Sequence, residues 1–386
     1  MKWTYTLSEP TLDDDEAQAA ADCIRSGWLS MGPRTQAFEE RFAEMHGAKH
    51  AFAVANGTAA LHLAYLAMGL GDDDRAGDAP GEIIQPSMSF VAAANMTIAV
   101  GAKPVFADIV SLAEPTIDPA HVAKLITGRT RAVVVMHYGG YPARIAELMD
   151  FCAARGVPII EDACHGPAQA VPSLGGRKLG TFGAVGCFSF FANKNMTCGE
   201  GGMVITDDDA LAARLKALRS HGMTTLSWER HKGRAATYDV TAHGFNYRID
   251  DLRSAVGLVQ LGKLEAANAA RRRHAEAYAA AFAAYKDERL QYVFADHVKA
   301  GTAHVGAVLV PAAQRGAVRQ ALADQGIQTS LHYPPIHLFT AFGGRSHPDL
   351  DRTEAFADRV ITLPLYPGLP DDAPREIAEA VWKAVG

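Results

Sequence analysis

The sequence predicts an α/β protein in which a large domain, built on a mostly parallel sheet, is followed by a smaller one. From residue 50 onward, short β-rich runs alternate with helical patterns, which is typical of a parallel sheet covered by helices. The 386 residues exceed the length that a single hydrophobic core normally serves. An alanine-rich helical pattern over residues 264–285 then indicates the change to the smaller domain.

Two helices are predicted before the first strand. Residues 13–26 form the first, because acidic side chains in its opening turn suit the helix dipole and Gly27 can end it. The second runs from about Arg34 to His46. Residues 28–33, which include Met31, form the turn between them.

Repeated strand–helix units follow. Strands are predicted at residues 51–55, 82–85, 104–106, 132–136 and 157–160, and helices from Thr58, from Ser89, and over residues 119–126 and 143–155. Ligands of such sheets gather beyond the carboxyl ends of the strands. Residues at those ends are therefore the first candidates for a site.

The second half of the chain is less regular. A helix is predicted up to about His221. The polar segment that follows, residues 222–242, is either an anion-binding flap or a solvated run of charges, because it contains Trp228, Arg230, His231, Lys232 and Arg234. A long helical pattern comes next. We expect an N-terminal segment of residues 1–27, a large domain of residues 28–255 and a small domain of residues 256–386.

Composition excludes several classes of protein. The net charge of −6 gives no basic field for nucleic acid or an anionic membrane. The five cysteines form no Cys-x-x-Cys pair, which argues against zinc and disulfides and favours the cytoplasm. No apolar run reaches the roughly 18 residues of a membrane helix, and no export signal is visible. The acidic residues 71–81 lack the ligand order of a metal loop, so we expect a surface loop and no metal site.

Lys194 is the central candidate. It follows an apolar run and precedes a glycine-rich turn within residues 186–203. A lysine amine is nucleophilic only when neutral, and an apolar environment favours that form. Phe188, Phe190 and Phe191 are candidates for that environment, and a solvated loop lysine is the alternative.

Two strand ends add further candidates. Gly57 and Thr58 stand where a strand turns into a helix, so backbone amides there can hold a phosphate, or Thr58 can simply belong to an ordinary helix start. Glu161 and Asp162 follow four apolar residues. A buried carboxylate either pairs with a cationic group or carries the free-energy cost of its desolvation. The alternative is that these carboxylates cap a helix or bind a metal ion.

One cofactor accounts for these features together. Pyridoxal 5′-phosphate needs an amine for its aldehyde, a carboxylate for its ring nitrogen and donors for its phosphate. Lys194, Asp162, Ser189 and the Gly57–Thr58 turn supply these groups.

The chain also resembles the DegT/DnrJ/EryC1/StrS sugar aminotransferases of fold type I. The matching stretches are residues 28–33, 56–61, 86–90, 161–165, 188–202, 244–252 and 332–335, in the order found in the family. The resemblance implies a mostly parallel seven-stranded sheet in the large domain and a smaller α/β C-terminal domain. One departure is the acidic loop 71–81, which replaces a shorter Gly-Pro-Gly-Asp-Glu connection.

The same resemblance implies roles for single residues. Lys194 would form the Schiff base, Asp162 would pair with the ring nitrogen, Phe90 would stack on the ring and His165 would lie beside it. The phosphate would be held by Gly57, Thr58, Ala59, Ser189 and, from the other subunit of a homodimer, Asn246. Possible substrate contacts, for which packing is an equal alternative, are Met31, Arg219, His221, Tyr247, His332 and Tyr333.

The resemblance implies amino transfer from a donor, L-glutamate by default, to a keto-sugar that we expect to be nucleotide-linked, with ping-pong kinetics. One alternative is an amine transaminase acting on non-nucleotide ketones, aldehydes or free sugars. A sugar dehydratase of this family would have histidine at position 194, and a non-catalytic regulator would have little need of Lys194, Asp162 and Ser189 together.

Overall fold

A computed structural model describes residues 2–71, 79–224 and 237–386. Most of the acidic loop therefore lies outside the described residues. The same holds for the cluster that we interpreted as an anion-binding flap or a charge run, namely Trp228, Arg230, His231, Lys232 and Arg234.

Two helices precede the sheet, as predicted. Helix α1 (Asp14–Arg25) begins with a capping box, in which the Asp13 carboxylate accepts from the first turn and Glu16 accepts from the Asp13 amide. Helix α2 (Pro33–His46) has proline at its first position, where the missing N–H costs nothing. The turn between them is anchored by Asp251, whose buried carboxylate accepts hydrogen bonds from the Gly32 and Thr35 amides at 2.8 and 3.0 Å.

A seven-stranded sheet forms the centre of the large domain, which confirms the predicted fold class. Its strands, in the order β1-β9-β8-β5-β4-β2-β3, are β1 (His50–Val54), β2 (Glu82–Pro86), β3 (Lys103–Ala107), β4 (Thr130–Met136), β5 (Ile159–Asp162), β8 (Val185–Ser189) and β9 (Gly202–Thr206). β9 pairs antiparallel with both β1 and β8, and the other pairs are parallel. Strands β6 (Ala170–Val171) and β7 (Arg177–Lys178) form a separate two-stranded ribbon.

Helices cover both faces of this sheet. They are α3 (Gly57–Ala67), α4 (Ala92–Ala99), α5 (Pro119–Leu125), α6 (Ile145–Ala153) and α7 (Asp209–Leu218). The helix that we predicted from Ser89 begins only at Ala92, because residues 87–90 form a turn that Ser87 fixes through a hydrogen bond between its Oγ and His337 Nδ1, at 2.6 Å. That turn brings Phe90 to the carboxyl end of the sheet.

Alternate residues of the central strands enter two different cores. Val133 and Val135 of β4 pack on one face with Phe38 and Phe42 of α2, whereas Val134 packs on the other face with α3. Side chains of successive strand residues point to opposite faces, so a strand buried on both sides is apolar throughout. Fully burying each such side chain stabilises the fold by about 1.5–3 kcal/mol.

The C-terminal part begins with one long helix, α8 (Asp251–Tyr285), which runs unbroken across the predicted boundary between residues 255 and 256. The domain limits themselves stay a prediction. A three-stranded antiparallel sheet follows, made of β10 (Gln291–Tyr292), β11 (Gly306–Leu309) and β12 (Val360–Leu363). Helices α9 (Arg315–Asp324), α10 (Asp351–Arg359) and α11 (Ala373–Val385) complete this α/β unit.

Within residues 2–71, 79–224 and 237–386, every helix is too short or too polar to cross a lipid bilayer.

Candidate active site

A cavity of about 410 Å³ opens at the carboxyl ends of β4, β5 and β8. This is where a parallel sheet is expected to hold its ligand. Ten of the candidates from the sequence line it: Gly57, Thr58, Phe90, Asp162, His165, Ser189, Phe191, Lys194, His332 and Tyr333.

Lys194 lies in the loop after β8, where its backbone amide donates to the carbonyl of Phe191 at 2.9 Å. Burial lowers the pKa of the Lys194 amine, although Cys164 and Asp162 nearby act in the opposite direction. A lowered pKa increases the neutral, nucleophilic fraction of the amine at physiological pH.

The apolar environment of Lys194 differs from the one that we predicted. Phe191 lines the cavity, but Phe188 and Phe190 lie in the core between the sheet and α2. Their ring centroids are 5.0 and 5.6 Å from that of Phe42. They are fully buried in the core on that side. The desolvation of the amine therefore comes from the walls of the cavity, and two of the three phenylalanines serve packing.

Asp162 is the last residue of β5 and lines the cavity. One of its carboxylate oxygens accepts from the Cys164 amide at 3.2 Å. The position at the end of a buried strand gives the carboxylate a fixed direction, so it can pair with a cationic group in the cavity.

The first turn of α3 forms one end of the cavity. Asn56 caps the helix, and its Oδ1 accepts from the Ala59 amide at 2.8 Å, so this donor is already in use. The Gly57 and Thr58 amides belong to the helix turn whose N–H groups have no partner inside the helix. They are therefore better placed than Ala59 to hold an anion. Gly57 is needed for the close approach to β8, because a Cβ atom there would lie 2.7 Å from Ser189 Cβ.

His165 and Tyr333 form the opposite wall. The Gly139 amide donates to His165 Nδ1 at 3.3 Å, so the ring proton is on Nε2, which lies 2.9 Å from the Tyr333 hydroxyl oxygen. Burial lowers the pKa of His165 well below its usual range, so the ring is neutral. Phe90 adds an aromatic face that is 57% exposed and 6.2 Å from the Tyr333 ring, which leaves it free to stack on a planar ligand.

His332 completes this side of the cavity. Its Nδ1 lies 3.0 Å from the Thr362 hydroxyl, and burial, together with the charge of Lys194, lowers its pKa to about 4. His332 is therefore neutral at physiological pH.

The remaining candidates from the sequence lie outside the cavity. Arg219 is 3% exposed, forms a short ion pair with Glu39 and donates to the Ala53 carbonyl at 2.7 Å, so its contacts are those of a packing residue. Tyr247 pairs its hydroxyl with His62 Nδ1 at 3.0 Å. His221 and Asn246 are exposed, and Met31 is partly exposed.

Seven cavity residues were not among our candidates: Asn56, Leu61, Ala92, Met136, Cys164, Asn193 and Glu200. Three of them fall within the two stretches that contain Asp162 and Lys194, so proximity in sequence was the available signal. Burial raises the pKa of the Cys164 thiol well above its usual range, which keeps it protonated. Asn193 Oδ1 is buried without a hydrogen-bond partner in the described structure, so it can accept a hydrogen bond from a ligand in the cavity.

The cavity therefore combines an amine of lowered pKa, a carboxylate on the end of a strand, an exposed aromatic face and a helix start brought close to a serine. These are the groups that pyridoxal phosphate requires.

Comparison with protein families agrees with this set of groups. The model of the DegT/DnrJ/EryC1/StrS aminotransferase family matches residues 10–382. The chain belongs to this family. It is accordingly a pyridoxal phosphate-dependent aminotransferase, which confirms the cofactor and the enzyme class predicted from the sequence.

Solved structures of aminotransferases have the same fold. PseC of Helicobacter pylori, involved in the biosynthesis of pseudoaminic acid, is 28% identical with a TM-score of 0.89, and 99% of each chain is covered. TlmJ of Streptoalloteichus hindustanus is 34% identical with a TM-score of 0.87, and 99% of this chain and 98% of TlmJ are covered. DesI, solved in the presence of its TDP-sugar product, is 30% identical with a TM-score of 0.83, and all of this chain and 93% of DesI are covered.

Proposed function

We propose that this aminotransferase moves the amino group of L-glutamate to a nucleotide-linked keto-sugar. The reaction is ping-pong, and Lys194 transfers the proton in it. The observation that carries the proposal is the presence of Lys194, Asp162 and Ser189 in one cavity, with the amine desolvated.

Pyridoxal phosphate, when bound, supplies an aldehyde that an amine can attack and a ring that takes up an electron pair. The Asp162 carboxylate would hold a proton on the ring nitrogen, which would strengthen that electron sink. The Gly57 and Thr58 amides and the Ser189 hydroxyl would hold the phosphate. His165 is neutral and orients the Tyr333 hydroxyl toward the ligand.

Lys194 acts as the base and then as the acid. Its neutral amine would remove a proton from the α-carbon of the donor, and the ammonium so formed would donate that proton later in the reaction. Burial lowers the pKa of this amine, which increases the fraction of it that can accept the proton.

A nucleotide-linked acceptor is supported by DesI, which was solved with a TDP-sugar, and a role in sugar biosynthesis is supported by PseC. The donor rests on the resemblance to the family. We also propose a homodimer with shared active sites, in which Asn246 reaches the phosphate of the partner subunit. The exposure of Asn246 outside its own cavity is consistent with that role.

Two half-reactions test the proposal. Holoenzyme mixed with L-glutamate and no acceptor is expected to lose its visible absorbance and release one 2-oxoglutarate per subunit. Addition of TDP-linked keto-sugars should then restore the absorbance. A holoenzyme that ignores glutamate but responds to simple amines would contradict the proposed donor and favour an amine transaminase.

A further inference from the structure

A buried polar cluster lies next to the cavity and involves three residues from distant parts of the chain. His304, Asn195 and Asn268 are 8%, 6% and 3% exposed. His304 Nδ1 lies 2.8 Å from Asn195 Oδ1, and Asn195 Nδ2 donates to Asn268 Oδ1 at 2.8 Å. Buried polar groups cost free energy unless paired, so a cluster of three such side chains is maintained by its internal hydrogen bonds.

Two backbone carbonyls determine the direction of every hydrogen bond in this cluster. Asn268 Nδ2 donates to the Pro167 carbonyl at 3.0 Å, so Asn268 Oδ1 must be the acceptor for Asn195. Asn195 Nδ2 also donates to the Thr302 carbonyl at 3.3 Å. Asn195 Oδ1 therefore faces His304, and the proton of the His304 ring must be on Nδ1.

The cluster touches the active site at two points. Asn195 directly follows Lys194, so the hydrogen bonds of its side chain fix the loop that carries the amine. The His304 ring packs against His165, with 4.2 Å between the ring centroids.

Backbone hydrogen bonds add to the contact between His304 and His165. The His304 amide donates to the Gly139 carbonyl at 2.8 Å, and the Gly139 amide donates to His165 Nδ1. The Thr302 hydroxyl donates to the His165 carbonyl at 2.6 Å. The segment 302–304 therefore holds His165 through both its ring and its backbone.

We propose that His304 is a positioning residue that acts on Lys194 through Asn195 and on His165 through ring packing, and that it does so as the neutral, Nδ1-protonated imidazole. The proposal rests on the proposed role of Lys194. His304 touches the walls of the reaction site and takes no proton itself.

Burial keeps the ring neutral. It is the main cause that lowers the pKa of His304 well below its usual range, and the positive charges of Lys194 and Arg271 act in the same direction. A charged ring would still donate from Nδ1 but would bring a cation beside Lys194, and the structure provides no carboxylate contact for it among the described residues.

The test measures the pKa of Lys194 in the apoenzyme, from the pH dependence of its acylation followed by peptide mass spectrometry. In His304→Leu the loop loses its anchor and water reaches the amine, so this pKa should rise by about one unit. In His304→Asn the amide nitrogen replaces Nδ1 as the donor, so the pKa should stay within about 0.3 units of wild type. The groups that also bear on this amine, Asp162 and Cys164, are unchanged in both variants.

His46→Leu is the matched control. His46 is also buried and hydrogen-bonded to backbone through both ring nitrogens, but it lies beneath the sheet with Phe42 and Phe188. It should lose stability without changing the pKa of Lys194. If His304→Leu does not fold, Asn195→Ala removes the same link from the other side and should give the same rise.

A Lys194 pKa that is equal in wild type, His304→Leu and Asn195→Ala would overturn the proposal. The same holds if His304→Asn behaves like His304→Leu, since the donor would then be irrelevant. The proposed function is tested separately, by borohydride reduction of the holoenzyme and mapping of the cofactor adduct. An adduct at a residue other than Lys194 would contradict the proposed function. The acylation experiment would still report the pKa of Lys194 in each variant.

Discussion

Glu161 and Asp162 are neighbours in β5, yet their carboxylates have unrelated surroundings. Glu161 is fully buried and accepts from the Phe182 and Gly183 amides at 2.6 Å each and from the Gly180 amide at 2.8 Å, with His137 Nε2 at 3.0 Å. Asp162 faces the cavity. Successive strand residues point to opposite faces, so one carboxylate anchors a loop and the other is available to a ligand.

This difference predicts different effects of removing each charge. Asp162→Asn should lower kcat by about 10²-fold or more, because the amide cannot hold a proton on the ring nitrogen, while the melting temperature changes little. Glu161→Gln should instead lower the free energy of unfolding by about 2–4 kcal/mol, because an amide group cannot accept from all of these donors. Steady-state kinetics and urea unfolding of both variants provide the comparison, and a stability loss in Asp162→Asn with unchanged kcat would contradict it.

Lys194→Ala removes the amine that the proposed reaction needs. We expect turnover to fall by more than about 10³-fold, since both the nucleophile and the acid–base group are lost. Cofactor should still bind through its phosphate, with a weaker dissociation constant. Turnover and cofactor titration by fluorescence measure the two effects, and an active variant would exclude the assignment.

Gly57 is predicted to be intolerant of a methyl group. In Gly57→Ala the added Cβ would lie 2.7 Å from Ser189 Cβ, so the start of α3 must move away from β8. Cofactor affinity should fall about tenfold, because the amides of this turn would be misplaced. Gly316→Ala in α9 is the control, since its Cβ meets nothing within 4 Å and cofactor affinity should not change. Equilibrium dialysis measures the cofactor dissociation constant of each variant, and equal constants for Gly57→Ala and Gly316→Ala would contradict the prediction.

Arg219 is predicted to act in folding. Arg219→Ala leaves Glu39 without its buried partner and should lower the free energy of unfolding by about 3 kcal/mol. The KM values of the folded enzyme should stay within about twofold of wild type, because Arg219 lies outside the cavity. A large increase in KM with unchanged stability would restore the substrate role considered from the sequence.

Stability should depend on pH through His46. Burial lowers its pKa to about 3 from 6.5, so between these values the unfolded chain binds a proton that the folded chain does not. Stability is therefore full above about pH 6.5 and falls as the pH decreases, by about 1.4 kcal/mol per pH unit for this group. His46→Leu should be less stable at pH 7 but lose stability less steeply below pH 6. Urea unfolding between pH 7 and 4 measures both slopes, and equal slopes would contradict the prediction.

The sequence predicted the fold class because its signals are local. Apolar runs followed by helical patterns gave the parallel strands, and Asp13 with Glu16 marked the start of α1. Asp162 and Ser189 were identifiable because each stands at a strand end, and Lys194 because it follows the apolar run that contains Ser189. The resemblance to the family supplied the seven strands and the cofactor roles, both of which concern relations between distant segments.

Other features depended on contacts that no local pattern encodes. Phe188 and Phe190 resembled walls of the site in sequence, but the direction of β8 places them in the core below it. From the sequence, Arg219 could contact substrate or serve packing. Its ion pair with Glu39, which is far away in sequence, favours packing. His304 carries no motif at all.

The sequence by itself therefore determined the α/β class and the cofactor, and it predicted the residues that we propose to hold the cofactor, because alternating hydrophobic patterns and residues at strand ends are properties of short segments. Only the tertiary structure decided that Glu161 anchors a loop away from the cavity, which aromatic ring lies near Lys194 and how Asn195, Asn268 and His304 join beside it. These depend on the pairing of strands and on packing between residues as far apart as Asn195 and His304, and such contacts form only when the whole chain folds.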